Sequence, residues 1–214
     1  AAMLLACASI SFLQAITNTT VAATTFTLSS IPFLTAIMAW LFLGERIGKS
    51  TVSTMLIAAA GISLMFIQGL GSGTLYGNFM AFLCAIGFSS YAIIIRRNRR
   101  TEMLPTLILS NLIIVFVALV FRWDNLLISW SDLLLCFVLG GVLSATVNTL
   151  FIIASKHLFA AELTLFMLLE FTLGPIWVWI FANEVPTFWT LIGGSIVVSA
   201  VLLKSLSELR KVNI

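Results

Sequence analysis

The chain has 214 residues, 61% of them apolar and 9% charged, with a formal net charge of +3. About a quarter of a soluble domain's residues are charged, so this balance excludes an ordinary water-soluble globule. One histidine leaves no cluster with metal-ligand spacing. The three cysteines, Cys7, Cys84 and Cys136, all lie inside apolar runs and read as small buried side chains rather than disulfides or metal ligands.

The apolar runs are roughly 17–25 residues long, the length that crosses a ~30 Å hydrocarbon core as a helix. In chain order they fall at about 2–17, 20–43, 49–68, 75–95, 104–122, 133–155, 158–182 and 186–204. The expected fold is therefore an all-α polytopic membrane protein. Gly69, Gly71 and Gly73 follow the third run, Pro105 opens the fifth and Pro186 opens the last, as chain breakers should.

The charges sit in the joints, and their signs give an orientation. Arg46 and Lys49, then Arg96, Arg97, Arg99 and Arg100, then Lys156, and finally Lys204, Arg210 and Lys211 occupy alternate joints or the C-terminus. Arg122 alone falls in the other set, beside Asp124 and Asp132. The positive-inside rule makes the basic side cytoplasmic, C-terminus included, so the net charge is a membrane signal and not a nucleic-acid one. Tyr76, Trp123, Trp130 and Trp189 lie near the outer joints, where an aromatic belt belongs.

Two long stretches are alike. Residues 22–45 and 161–184 are apolar, hold one proline each, turn aromatic toward their ends and close on a glutamate. Laying Glu45 on Glu184 is a shift of 139 residues that also pairs Ala22 with Ala161. Basic residues flank only the first copy at that end, the mark of an inverted repeat, an arrangement that belongs chiefly to carriers. The expected units are an incomplete first repeat at 1–68, holding its last three helices, a five-helix second repeat at 75–205, and a cytoplasmic tail at 206–214. The chain begins Ala1-Ala2, and matching the repeats calls for two further helices ahead of it. The expectation is an inverted-repeat helical bundle with eight transmembrane helices of ten.

The segment L-F-L-G-E-R, Leu41 to Arg46, followed by a glycine-bearing apolar run, resembles the EamA-like branch of the drug/metabolite transporter superfamily. So does G-P-I-W-V-W-I-F-A-N-E-V-P-T-F-W-T-L-I-G-G, Gly174 to Gly194. The resemblance implies a ten-helix carrier of two inverted five-helix repeats with both ends cytoplasmic and a central cavity, in a bacterial plasma (inner) membrane. Such proteins handle amino acids, nucleotide-linked sugars, quaternary amines and other metabolites, and no motif here selects among them. One departure is that Glu170 is followed by Phe171, where members often have Glu-Pro. Pro175 lies about one turn further on, which displaces any kink outward.

Glu170 is the sharpest candidate. It lies near the middle of an apolar run, where an ionisable group costs at least ~2.5 kcal/mol, so a cavity-facing role in a proton or substrate path is expected. Its repeat mate is Ile31, on the same helical stripe as Thr20, Thr24 and Thr27. The face that carries the acid in one repeat thus carries hydroxyls in the other. Those threonines also have a packing role open to them, bonding their own helix backbone. Gln14, Asn111 and Asn148 are single amides within apolar runs; interhelical hydrogen bonding suits each, and Gln14 and Asn148 are also candidates for the pathway. Glu45 and Glu184 read as structural residues ahead of the next helix, where negative charge suits its dipole. The Arg96–Arg100 block reads as an anchor at anionic headgroups. Gly140 with Ser144, and Gly193 with Gly194 and Ser195, read as close-packing positions.

Function reads as secondary transport of small metabolites or drugs by alternating access, proton-coupled or as an exporter, with no catalytic residues, cofactor or metal. The expected partners are the lipid bilayer and a small-molecule substrate, with room for a homodimer and no nucleic acid. A non-transporting membrane interaction or assembly subunit is the alternative. An intramembrane enzyme ranks below it, since the chain lacks H-E-x-x-H and G-x-S-x-G and His157 sits at a joint.

Overall fold

The structure, a computed structural model, describes residues 1–65, 74–121, 129–170, 173, 180 and 188–212. These residues are helical apart from short joints, and the helices follow the apolar runs. In order they are α1 (Ala2–Asn18), α2 (Val21–Leu28), α3 (Ile31–Leu43), α4 (Lys49–Met65), α5 (Leu75–Arg97), α6 (Pro105–Phe121), α7 (Trp130–Cys136), α8 (Ala145–Ser155), α9 (Ala160–Phe166) and α10 (Phe188–Val212). A π-helical stretch, Phe137–Ser144, joins α7 to α8 without a break. Among the described residues three helical stretches are long and apolar enough to cross a membrane: Ala23–Leu43, Leu75–Arg97 and Trp130–Ser155. Ala2–Asn18, Lys49–Met65, Pro105–Phe121 and Phe188–Lys204 are shorter apolar helices.

Local chemistry sets the ends. The Thr20 hydroxyl accepts from Ala23 N–H at 3.1 Å to start α2, and the Thr74 hydroxyl accepts from Gly77 N–H at 3.1 Å to start α5. Helix α3 stops at Gly44, whose φ of 65° is left-handed, and Glu45 N–H then reaches back to Ala39 O at 3.2 Å. Gly44 N–H also reaches Ala39 O, and glycine permits this left-handed close at no steric cost. It turns Glu45 back over the end of α3.

Helices α3, α4, α9 and α10 share one core, built on Ala36, Met55, Ala58, Ile62, Ala161, Leu165, Val197 and Val201. Ala58 and Val197 are 139 residues apart, and so are Ile62 and Val201. Helices α4 and α10 run antiparallel through it, because Gly61 meets Val197 while Met65 meets Gly193. A Cβ on Gly61 would sit 2.8 Å from the Gly193 carbonyl oxygen and 2.9 Å from Val197, so only glycine lets the backbones approach this closely. Gly193 thus packs as its sequence suggests. Gly140 does not: nothing lies within 4 Å of where its Cβ would be, and Ser144 bonds its own helix at Leu139 O, 2.9 Å away.

A second group packs on α5. Ala8, Leu28, Ile31, Cys84 and Ala85 join α1, α2 and α3 to it, and Leu5, Tyr91, Ile95 and Ile152 bring in α8. The apolar core of Trp130–Ser155 is only 6% buried, against 50% for Leu75–Arg97. Of the cysteines, Cys84 is buried as read, whereas Cys7 and Cys136 are exposed. The three described tryptophans, Trp40, Trp130 and Trp189, are exposed too.

Candidate functional site

The second apolar run is not one straight helix. At Ser29–Ser30 the ladder tightens: Ser30 N–H bonds Thr27 O at 3.1 Å and Phe33 N–H bonds Ser30 O at 3.0 Å. Pro32 has no N–H to offer the Leu28 carbonyl, and both serine hydroxyls turn back on the helix, to Phe26 O at 2.6 Å and Thr27 O at 2.7 Å. The Ser89 hydroxyl of α5 donates to Ile31 O at 3.3 Å just beyond the break. The seventh run breaks as well. Helix α9 ends at Phe166, with Met167 N–H bonding Thr164 O at 3.2 Å and Glu170 N–H bonding Met167 O at 3.0 Å. Under the 139-residue shift Met167 falls on Leu28, next to the Ser29–Ser30 break.

Two hydroxyls flank the first break on nearly the same helical face. Thr24 and Thr35 are eleven residues apart, fully buried, and their oxygens have no hydrogen-bond partner among the described residues. Thr24 was expected on the polar stripe; Thr35 extends it beyond the break. Thr20 is spent on capping α2, and the Thr27 hydroxyl donates to Ala23 O at 2.9 Å, so it satisfies itself on its own helix. Glu170 is exposed, and no hydrogen bond joins it to these threonines among the described residues. Asn148 donates to Ser144 O at 2.8 Å, and the side-chain Oε1 of exposed Gln14 accepts from Asn18 Nδ2 at 3.3 Å, so both amides bond within their own helix rather than across helices. Asn111 is exposed.

The basic end of the bundle holds a buried charged network. Arg96 Nε donates to Glu45 Oε1 at 2.8 Å, and Arg96 Nη1 donates to Ser155 O at 3.0 Å and Lys156 O at 3.4 Å. The other oxygen, Glu45 Oε2, accepts from Ala160 N–H at 3.3 Å. The guanidinium also lies 5.4 Å from the Phe159 ring centroid. Beside it Lys204 Nζ meets Glu162 at 3.1 Å, both largely buried. Lys156 and Glu102 form an exposed pair at 3.5 Å. These contacts gather the joints at 45, 96–102, 155–162 and residue 204 at one end. At the opposite end the contacts between α1 and α5 are neutral: the Thr74 hydroxyl bonds Asn18 O, and the Thr19 hydroxyl donates to Asn78 Oδ1 at 3.0 Å.

Two sequence readings change here. Glu45 does not serve the start of the helix that follows it; the left-handed Gly44 turns it toward α5 and α9. Arg96 is not a headgroup anchor but is 7% exposed, whereas Arg97, Arg99 and Arg100 are exposed as read. Periodicity carried a signal for Arg96, since Ala85, Ser89, Ala92 and Arg96 form one buried stripe of α5. Ser29-Ser30 ahead of Pro32 carried one for the break. Glu184 lies outside the described residues.

The described residues thus form an all-helical bundle with three helices long and apolar enough to cross a membrane. The model of the EamA-like transporter family matches residues 1–67, so the resemblance read at Leu41–Arg46 holds, and it is consistent with the drug/metabolite transporter superfamily. The second stretch, Gly174 to Gly194, lies outside the matched residues. A solved structure titled only "Crystal structure of protein" superposes with a TM-score of 0.75 at 18% identity, over 96% of this chain and 74% of that one. At that identity the likeness is one of fold. No protein of curated function matches the chain.

Proposed function

We propose that the chain belongs to a secondary carrier that moves a small metabolite by alternating access around the paired helix breaks. The observation that carries this is the coincidence of the Ser29–Ser30 and Met167 breaks under one 139-residue shift. The same shift links Ala58 with Val197 and Ile62 with Val201 within one antiparallel core, which supports inverted units at 1–68 and 75–205. Broken helices leave backbone carbonyls and amides without helical partners at mid-depth, where a polar solute needs them. The basic end is the cytoplasmic one in this reading, with the tail on that side.

Glu170 acts in this reading as the titrating or counter-ionic group of the pathway. The test is flux through the full-length protein in proteoliposomes, with a panel of amino acids and quaternary amines and an imposed pH gradient. Solute uptake above empty vesicles is expected, and Glu170→Gln should abolish the gradient-driven part while sparing exchange. Uptake that requires ATP hydrolysis by this chain, or no uptake of any solute, refutes the carrier. Wild-type flux in Glu170→Gln removes the residue from the pathway and leaves the carrier standing.

A further inference from the structure

Of the three ion pairs among the described residues, only Glu45–Arg96 crosses between the units at 1–68 and 75–205; Lys156–Glu102 and Lys204–Glu162 both lie within the second. We propose that Glu45 and Arg96 form a latch that holds the basic end shut, and that they must part for the buried hydroxyl face beyond them to become wet from that side. The proposal rests on the alternating-access reading above.

The chemistry of the contact suits a latch more than a permanent weld. Glu45 sits on the short connector between α3 and α4, and its two oxygens reach two partners in the other unit, the Arg96 guanidinium and the Ala160 amide. Arg96 in turn holds the carbonyl end of α8 through Ser155 and Lys156. One carboxylate therefore ties three helix ends of the second unit to the first. Both charges are largely buried, so the pair is strong only while water is kept out, and admitting water weakens the attraction as it solvates the ions. Such a contact has two stable conditions, dry and joined or wet and apart.

Ten residues before Glu45, on α3, lies Thr35, whose fully buried hydroxyl has no partner among the described residues. A buried polar atom left unsatisfied is a rare feature that calls for a physical reason. Here the reason is a second condition in which water or solute reaches it. Thr24 is the matching orphan on the far side of the break, and in this proposal it answers to the other entrance.

The experiment uses the full-length protein with Cys7, Cys84 and Cys136 replaced by Ala, and a membrane-impermeant maleimide as the probe. Thr35→Cys is labelled from the basic side and Thr24→Cys from the opposite side. With the latch intact, Thr35→Cys should label slowly from the basic side. Glu45→Gln or Arg96→Gln should speed it about tenfold, as a shift in a two-state population does, and leave Thr24→Cys unchanged or slower. Glu162→Gln, which breaks a pair within one unit, should leave both rates alone. Arg96→Lys keeps the charge but lacks the planar fork that spans the Glu45 carboxylate and the α8 carbonyls, so it should fall between parent and Gln variants. It decides the matter if the Gln variants fail to insert. Parent rates in the latch variants, or faster labelling from both sides, overturn the proposal; the second outcome is general loosening. Flux that persists with labelling unmoved removes the latch alone. Faster one-sided labelling with no flux keeps the latch and removes the carrier.

Discussion

The two ends of the bundle are fastened by different chemistry. At the basic end, buried guanidinium and ammonium groups meet carboxylates and helix-end carbonyls. At the opposite end, α1 and α5 are joined by neutral hydroxyl and amide groups, brought within reach because Gly77 presents no side chain to Thr19. Charged fastenings in a dry site come apart as a unit, since a lone buried ion is costly. Neutral ones are worth less each and are lost by degrees. The comparison thus predicts one stiff end that switches and one that gives.

Three substitutions sharpen or break that contrast. Unfolding is best followed through the buried Cys84 thiol, labelled by a thiol-reactive dye after exposed Cys7 and Cys136 are replaced by Ser. The largest loss is expected for Glu45→Ala, about 3–5 kcal/mol, because Arg96 is left buried without its counter-ion. A loss below about 1 kcal/mol, the range of solvated pairs, would mean that the basic end is hydrated and would collapse the contrast. At the other end Gly77→Ala should cost about 1–3 kcal/mol through overpacking, since its Cβ would sit 2.6 Å from Thr19 Cβ. An unchanged melting temperature would show that this helix joint gives way freely. The smallest effect belongs to Thr19→Val, about 0.6 kcal/mol, the average of a hydrogen bond between membrane helices. A loss as large as that of Glu45→Ala would make the neutral end the stiffer of the two.

Much of the fold was legible because apolar runs of bilayer length leave few alternatives to helices, and glycine, proline and hydroxyl residues at their ends behave locally. Gly44, Thr20 and Thr74 act within a few residues of themselves, so sequence carries their roles in full. The Ser29–Ser30 break was written in the same local code, but hydropathy averaged across it reads as one continuous run. Glu45 and Arg96 were harder, because joint charges look alike in a sequence. Which of them is buried depends on helix ends meeting across 51 and 115 residues. Gln14 and Asn148 show the same limit from the other side: each amide finds a partner one turn away on its own helix and needs no neighbour.

The outward placement of Trp40, Trp130 and Trp189 has a spectroscopic consequence. Indole emission depends on the polarity around the ring, and these rings face whatever surrounds the protein rather than its core. Their fluorescence should respond to the host bilayer, to brominated acyl chains and to detergent exchange, and much less to loss of packing inside. Trp130, at the start of the barest helix, is 84% exposed and is the natural depth gauge of the three. Quenching of Trp130 by chains brominated at successive positions would locate the end of that helix relative to the headgroups without any added label.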